Sequence, residues 1–113
     1  MQDSQAYIAK AQNYVSASNA HDVAAIGPML AEECRYVSTG VGEHHGKAAI
    51  LSMMEGFFSS NPDVHWDVPE YSLDGLSCVV FDFTISFGGQ SSRGLEKITF
   101  ADDGEICLIE VSR

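Results

Sequence analysis

Glu96 is the residue of this sequence whose type and position most directly suggest chemistry. It lies in an extended run in which successive side chains point to opposite faces. One face carries Ile98 and Phe100 and the other carries Arg93 and Lys97, so Glu96 falls on the apolar face. A carboxyl in apolar surroundings has a raised pKa and can remain a proton donor. The alternative is a bulge that turns Glu96 to solvent or to a dimer contact.

A pair of histidines, His44 and His45, is the next candidate, in the glycine-rich loop 39–46. Either one could supply a base with a pKa near neutrality. Adjacent side chains rarely point at one ion and no third ligand is evident, so we predict neither a metal site nor a cofactor. Asp67 and Asp82 are alternative acids, although alternation places both opposite their apolar neighbours.

Helical spacing of apolar residues predicts about three helices in the first half of the chain. The first runs from Ser4 to about Ala20. Asp22 is placed to cap the start of a second, shorter helix. The third runs from Lys47 to about Ser59, with its apolar side chains on one face.

The rest of the chain carries the alternation typical of β-strands. Strands are predicted at residues 34–38, 64–68, 76–87, 93–101 and 105–112. Helices followed by a meander indicate an α+β fold. We therefore expect a curved antiparallel sheet, wrapped by about three N-terminal helices, around an apolar interior.

Length and charge exclude several classes of function. At 113 residues the chain has room for one domain, placed at 1–113. Its net charge of −10 repels phosphate backbones, so no nucleic-acid partner is expected. Three cysteines without a CxxC pair are predicted to be reduced thiols in a cytoplasmic protein. No apolar run reaches the roughly 20 residues of a membrane helix, and the first residues lack a signal-peptide pattern.

Five short stretches of the chain carry a family resemblance. They are YVSASNAHDV (14–23), LAEEC (30–34), GKAAI (46–50), FDFTISF (81–87) and ITF (98–100), the last before an Asp-Asp-Gly turn. In content and order they resemble the nuclear transport factor 2-like superfamily, and within it the ketosteroid isomerase and SnoaL-like polyketide cyclase branches. The resemblance implies a cone that encloses one pocket, usually in a homodimer. The superfamily contains isomerases, cyclases, hydrolases and non-catalytic domains, so the resemblance predicts fold better than function.

The resemblance also implies roles for particular residues. Tyr14 matches a tyrosine that donates a hydrogen bond to the developing oxyanion of an enolate, although its helical position also suits a core aromatic. Glu96 matches an aspartic acid that stays protonated as the second donor. Ser38 falls where the family has its general-base aspartate, and a serine hydroxyl is a poor base without a partner. Ser38 and His45 are therefore the candidates for proton transfer.

Two functions of different classes follow. The first is a cavity enzyme that stabilises the enolate of a small apolar, ketone-like molecule, in an isomerisation, cyclisation or lyase step. The second is a non-catalytic ligand-binding or dimerisation module. In either case Trp66, Phe57, Ile98 and Phe83 are predicted to line the pocket. Epoxide hydrolysis would need an Asp-Arg-Asp network, and Arg93 falls on the outer face.

A homodimer is also predicted from the outer face of the sheet. Alternation puts Leu95, Cys107, Ile109 and Val111 on that face among polar residues. An apolar area of this kind is larger than a monomer usually exposes.

Overall fold

The first helix forms where apolar residues recur at helical spacing. Helix α1 (Ser4–Asn19) buries that stripe, including Ala11 and Tyr14, against the sheet. Asp22 then caps the second helix as predicted: its carboxylate accepts a hydrogen bond from the backbone N–H of Ala25 at 3.1 Å.

The computed structural model describes residues 4–112 as three α-helices, one 3₁₀ helix and seven strands. After α1 come α2 (Val23–Ile26), the 3₁₀ helix (Gly27–Met29), β1 (Leu30–Ser38), β2 (Gly42–His45), α3 (Lys47–Ser60), β3 (His65–Asp67), β4 (Ser72–Leu73), β5 (Cys78–Phe87), β6 (Gln90–Phe100) and β7 (Ile106–Ser112). The predicted α+β fold is confirmed. Among these residues, no helix is both long enough and apolar enough to cross a bilayer.

The strands form one curved open sheet in the order β2-β1-β7-β6-β5-β3, and β4 pairs with β5. Neighbouring strands run antiparallel except β1 and β7, which pair in parallel. The expectation of a wholly antiparallel sheet is therefore wrong at one pairing. These two strands are far apart in the chain, so no hairpin fixes their relative direction.

Four stretches of strand lie outside the predicted ones, among them the whole of β4 and residues 90–92 of β6. β1 begins at Leu30 rather than Cys34, and β2 occupies the second half of the glycine-rich loop. β2 pairs with β1 in a register that places Tyr36 opposite His44. The sequence did not predict this hairpin, because β2 lies in a glycine-rich stretch and has no apolar alternation. β2 is extended because it pairs with β1.

Alternation along the central strands decides which side chains reach the interior. The register places Phe81 beside Glu96, Glu96 beside Val111, and Val111 beside Ser38. These four residues form a row across β5, β6, β7 and β1 on the inner face. Glu96 thus occupies the interior position that the sequence predicts, and it is buried.

The outer face of the sheet differs from the prediction. Ile109 is fully buried and Val111 lies in the inner row. A β-bulge at Cys107 reverses the phase of alternation, so residues 109 and 111 do not share its face. Leu95 does lie outside, with 42% of its surface exposed.

Candidate active site

A cavity lies between α1, α3 and the inner face of the sheet. Its buried floor includes Tyr14, Ser18, Met54, Phe83, Ile85 and Glu96. Its partly exposed mouth includes Tyr36, Ser38, Val41, Met53, Phe57 and Trp66. The chain therefore presents polar groups at the bottom of an entrance that is mainly apolar and aromatic.

The free volume of this cavity is about 50 Å³. That is room for a few water molecules, and it is well below the roughly 300–1,000 Å³ of drug-sized ligand sites. A larger ligand must extend into the mouth or displace wall side chains. Met53 and Met54 on α3 are suited to such movement because methionine is unbranched and flexible.

Glu96 is the buried acid of the floor. Only 5% of its surface is exposed, and burial raises the pKa of its carboxyl to about 8. The carboxyl is therefore mainly protonated at neutral pH and can donate a hydrogen bond into the cavity.

Tyr14 lies on the floor near Glu96. It is 4% exposed, and its pKa is raised well above the ordinary value by burial and then by the negative charge that Glu96 carries when ionised. The phenol therefore stays neutral and can act as a donor. One turn later, the hydroxyl of Ser18 donates to the backbone carbonyl of Tyr14 at 2.9 Å. The structure thus brings together the two oxyanion-hole candidates of the sequence.

Ser38 lies at the mouth, where it closes the turn between β1 and β2. Its Oγ accepts the backbone N–H of Gly40 at 3.0 Å and that of Val41 at 3.4 Å. Both bonds draw on the lone pairs that a base would need. The hydroxyl is therefore part of a turn rather than an activated proton acceptor.

The two histidines do not reach the cavity floor. Adjacent strand residues point to opposite faces, and His45 lies on the outer side with 61% of its side chain exposed. There its Nε2 contacts Glu43 at 2.5 Å, and Glu43 also pairs with Arg35 at 3.5 Å. That hydrogen bond from His45 is the main cause of a lowered pKa at Glu43. His44 bonds through Nε2 to the carbonyl of Val41 at 3.0 Å.

Of the predicted lining residues, Phe57, Phe83 and Trp66 line the cavity. Ile98 does not. It is fully buried and packs in the core one row beyond Glu96, where it pairs with Val79 and Ile109.

An aromatic cluster forms one wall of the mouth. The ring of Phe57 lies 6.1 Å from Trp66 and 6.0 Å from Phe87, measured between centroids. Asn19 at the end of α1 holds Trp66 by two bonds: its amide donates to the Trp66 carbonyl at 2.8 Å and accepts the Trp66 N–H at 2.7 Å. These bonds satisfy the open edge of β3 and fix the indole wall.

Other side chains near the site escaped the sequence reasoning. Tyr36 lies two residues before Ser38 on the same strand face, so alternation could have identified it. Tyr71 lies close enough to Glu96 for the Glu96 charge to contribute, after burial, to a raised pKa of its phenol. Tyr71 precedes β4 in a stretch without regular alternation, and no sequence signal marks it.

The remaining candidates are the two aspartates proposed as alternative acids and a possible metal site. Asp67 and Asp82 are exposed on their strands: Asp67 lies next to the partly buried Trp66, and Asp82 lies between the buried Phe81 and Phe83. In the described part of the chain, no three His, Cys, Asp or Glu side chains are grouped so as to hold a metal ion.

The α+β fold is the one found in solved structures described as NTF2-like. More particularly, residues 11–109 match the SnoaL-like domain model, and the chain belongs to the SnoaL-like domain family. No curated protein sequence matches it significantly.

Solved structures share the fold at low sequence identity. The epoxide hydrolase/cyclase-like enzyme SalBIII, studied in pyran ring formation in salinomycin, is 19% identical with a TM-score of 0.86; the match covers 99% of this chain and 93% of that one. A proposed ketosteroid isomerase from Kribbella flavida is 21% identical, with a TM-score of 0.77 and coverage of 92% and 74%. An NTF2-like protein of unknown function from Cytophaga hutchinsonii is 16% identical, with a TM-score of 0.77 and coverage of 98% and 89%.

Proposed function

We propose that this protein binds the oxygen of a small, apolar, carbonyl-bearing molecule and stabilises its enolate. The observation that carries this proposal is the pair of neutral donors, Tyr14 and Glu96, on the buried floor of an apolar cavity. Negative charge develops on the carbonyl oxygen when a proton is removed from the neighbouring α-carbon. Two fixed donors in a water-poor site stabilise that charge far more than they would in water.

The proton acceptor for this reaction is the weak part of the site. The described lining residues include no histidine, aspartate, lysine or arginine. The Ser38 hydroxyl is bonded into a turn. Glu96 is the one carboxyl among the described lining residues, and it already serves as a hydrogen-bond donor. The α-proton must then pass to a water molecule from the solvent, so we expect slow enolisation, with weak or absent ketosteroid isomerase activity. A protonated carboxyl also suits a ring-closing step, which agrees with the cyclase-like relative SalBIII.

The second candidate function is ligand binding without turnover. The bonded state of Ser38 and the narrow cavity favour it, because both argue against a proton-transfer reaction on a large substrate. The two candidates share the oxygen-binding floor and differ in whether a carbon–hydrogen bond is broken.

Phenol is a suitable first probe, because its ring and oxygen mimic a single-ring enolate. Binding should change the fluorescence of Trp66, the single tryptophan of the chain, at the mouth. Tyr14→Phe should weaken binding about tenfold through loss of one hydrogen bond, and Glu96→Gln should keep part of the affinity. Tyr7→Phe is the control, because Tyr7 is buried on the same helix against Phe100 rather than in the cavity.

Turnover is tested separately by exchange of α-protons. Cyclohexanone is incubated with the protein in deuterium oxide, and the loss of its α-proton signal is followed by NMR. Exchange that falls to the background rate in Tyr14→Phe supports the enzyme. Phenol binding with no exchange above background supports the binding module, and failure of phenol to bind contradicts the proposed site.

We also propose that two copies of the chain associate through the outer face of the sheet. That face carries the exposed apolar Leu95, and it mixes cations with acids: Lys97 pairs with Asp74 at 2.9 Å, and Arg35 pairs with Glu43. In a chain of net charge −10, a face of balanced charge is where two copies repel each other least.

A further inference from the structure

The Glu96 carboxyl faces an aromatic cavity without a cationic partner. It is more than nine-tenths buried, and none of the described basic side chains lines the cavity. The walls contribute rings from Tyr14, Phe57, Trp66 and Phe83. Buried carboxylates are normally paired, and aromatic faces attract cations. When ionised, a carboxyl in this setting lacks a positively charged partner, and a cationic ligand can supply it.

None of the described groups that face Glu96 supplies a positive charge. Its strand neighbours on β5 and β7 are Phe81 and Val111, both uncharged. Its titratable neighbours are the phenol of Tyr14 on α1 and that of Tyr71 before β4. Both phenols have raised pKa values and so stay neutral in the ordinary range of pH. No described positive charge competes with a cationic ligand for this carboxylate.

We propose that the cavity also binds a small primary arylalkylammonium ion, with its ammonium group at Glu96 and its ring against Phe57 and Trp66 in the mouth. The free volume of about 50 Å³ accommodates the compact ammonium group. The aromatic mouth receives the ring by stacking or edge contacts. The net charge of −10 raises the local concentration of cations around the protein. This binding does not depend on the carbonyl chemistry proposed above.

The protonation of Glu96 selects between the two kinds of ligand. A neutral ligand oxygen is bound by the protonated carboxyl, whereas an ammonium ion requires the ionised one. Below the Glu96 pKa of about 8, ammonium affinity rises about tenfold for each pH unit, in step with the ionised fraction. Over the same range an alkylamine, like lysine with its pKa of about 10.4, stays charged.

The test titrates benzylammonium, with benzyl alcohol as the neutral molecule of matched size and benzoate as the anion. Binding is followed by calorimetry and by Trp66 fluorescence between pH 6 and 8.5. Glu96→Gln should lower benzylammonium affinity roughly 30-fold or more at pH 8.5, as expected for removal of one partner of a buried charge pair. Asp82→Asn removes a charge of the same sign from the exposed face and should leave affinity unchanged.

The wild-type pH profile keeps the test decisive even where a variant folds poorly. Affinity for benzylammonium that climbs with pH, while that for benzyl alcohol does not, supports the proposal. Equal affinity at pH 6 and 8.5, or benzylammonium binding that survives Glu96→Gln, overturns it. Phenol binding without benzylammonium binding would remove this inference and leave the carbonyl-binding proposal standing.

Discussion

Replacing Glu96 by glutamine should make the protein more stable at neutral and alkaline pH. Burial raises the carboxyl pKa from 4.5 to about 8 in the folded state. An acid whose pKa is raised by folding contributes stability that is fully present below pH 4.5 and is lost as pH rises to about 8. Glutamine keeps the size and a hydrogen-bond donor but does not titrate, so it avoids this loss.

The size of this stability difference follows from the shift in the Glu96 pKa. One pKa unit corresponds to about 1.4 kcal/mol. Relative to Glu96→Gln, the wild type should therefore lose roughly 3 kcal/mol between pH 4.5 and 7, and roughly 4 kcal/mol between pH 4.5 and 9. These values are a large fraction of the stability of a small domain, which is about 5–15 kcal/mol.

Denaturant unfolding at pH 5, 7 and 9 measures the effect. The difference in unfolding free energy between wild type and Glu96→Gln should widen steadily with pH. Glu55→Gln makes the same chemical change at an exposed position of α3 and should parallel the wild type at each pH. If Glu96→Gln also parallels the wild type, then Glu96 is a solvated carboxylate and the donor floor does not exist.

Three further predictions concern the mouth and the outer face. Ser38→Asp should raise cyclohexanone α-proton exchange roughly tenfold or more by supplying a base; an unchanged NMR exchange rate would show that position 38 cannot reach the substrate. Asn19→Ala should red-shift the emission of Trp66 and cost about 1–2 kcal/mol by denaturant unfolding, because two bonds to its backbone are lost; unchanged emission would mean that β3 holds the indole alone. Sedimentation at tens of micromolar should show a wild-type dimer and a Leu95→Glu monomer, and a monomeric wild type would refute the interface.

The fold was predictable because its long elements carry clear periodicity. The apolar stripe of α1 places Tyr14 on its buried face, and the alternation along β6 places Glu96 on the inner face of the sheet. These two faces enclose the interior. The bulge at Cys107 is the counter-example. One extra residue reversed the phase of β7 and moved Ile109 and Val111 to the interior, and nothing in the local composition announces it.

The site was predictable only where a regular element carries the residue. Tyr14 and Glu96 both line the cavity, whereas His45 depended on a loop that proved to be a strand, with its side chain directed outward. Ser38 illustrates a different limit. Its position was predicted, but its bonds to Gly40 and Val41 arise from turn geometry that composition does not encode. Cavity volume likewise depends on packing between elements, which periodicity cannot supply.

A crystal structure of the protein with phenol tests the central claim most directly. Our account predicts the phenol ring against Phe57 and Trp66 in the mouth, and the phenolic oxygen within about 3 Å of both the Tyr14 hydroxyl and the Glu96 carboxyl. An empty cavity at saturating phenol, or a ring bound with its oxygen directed to solvent, would contradict it.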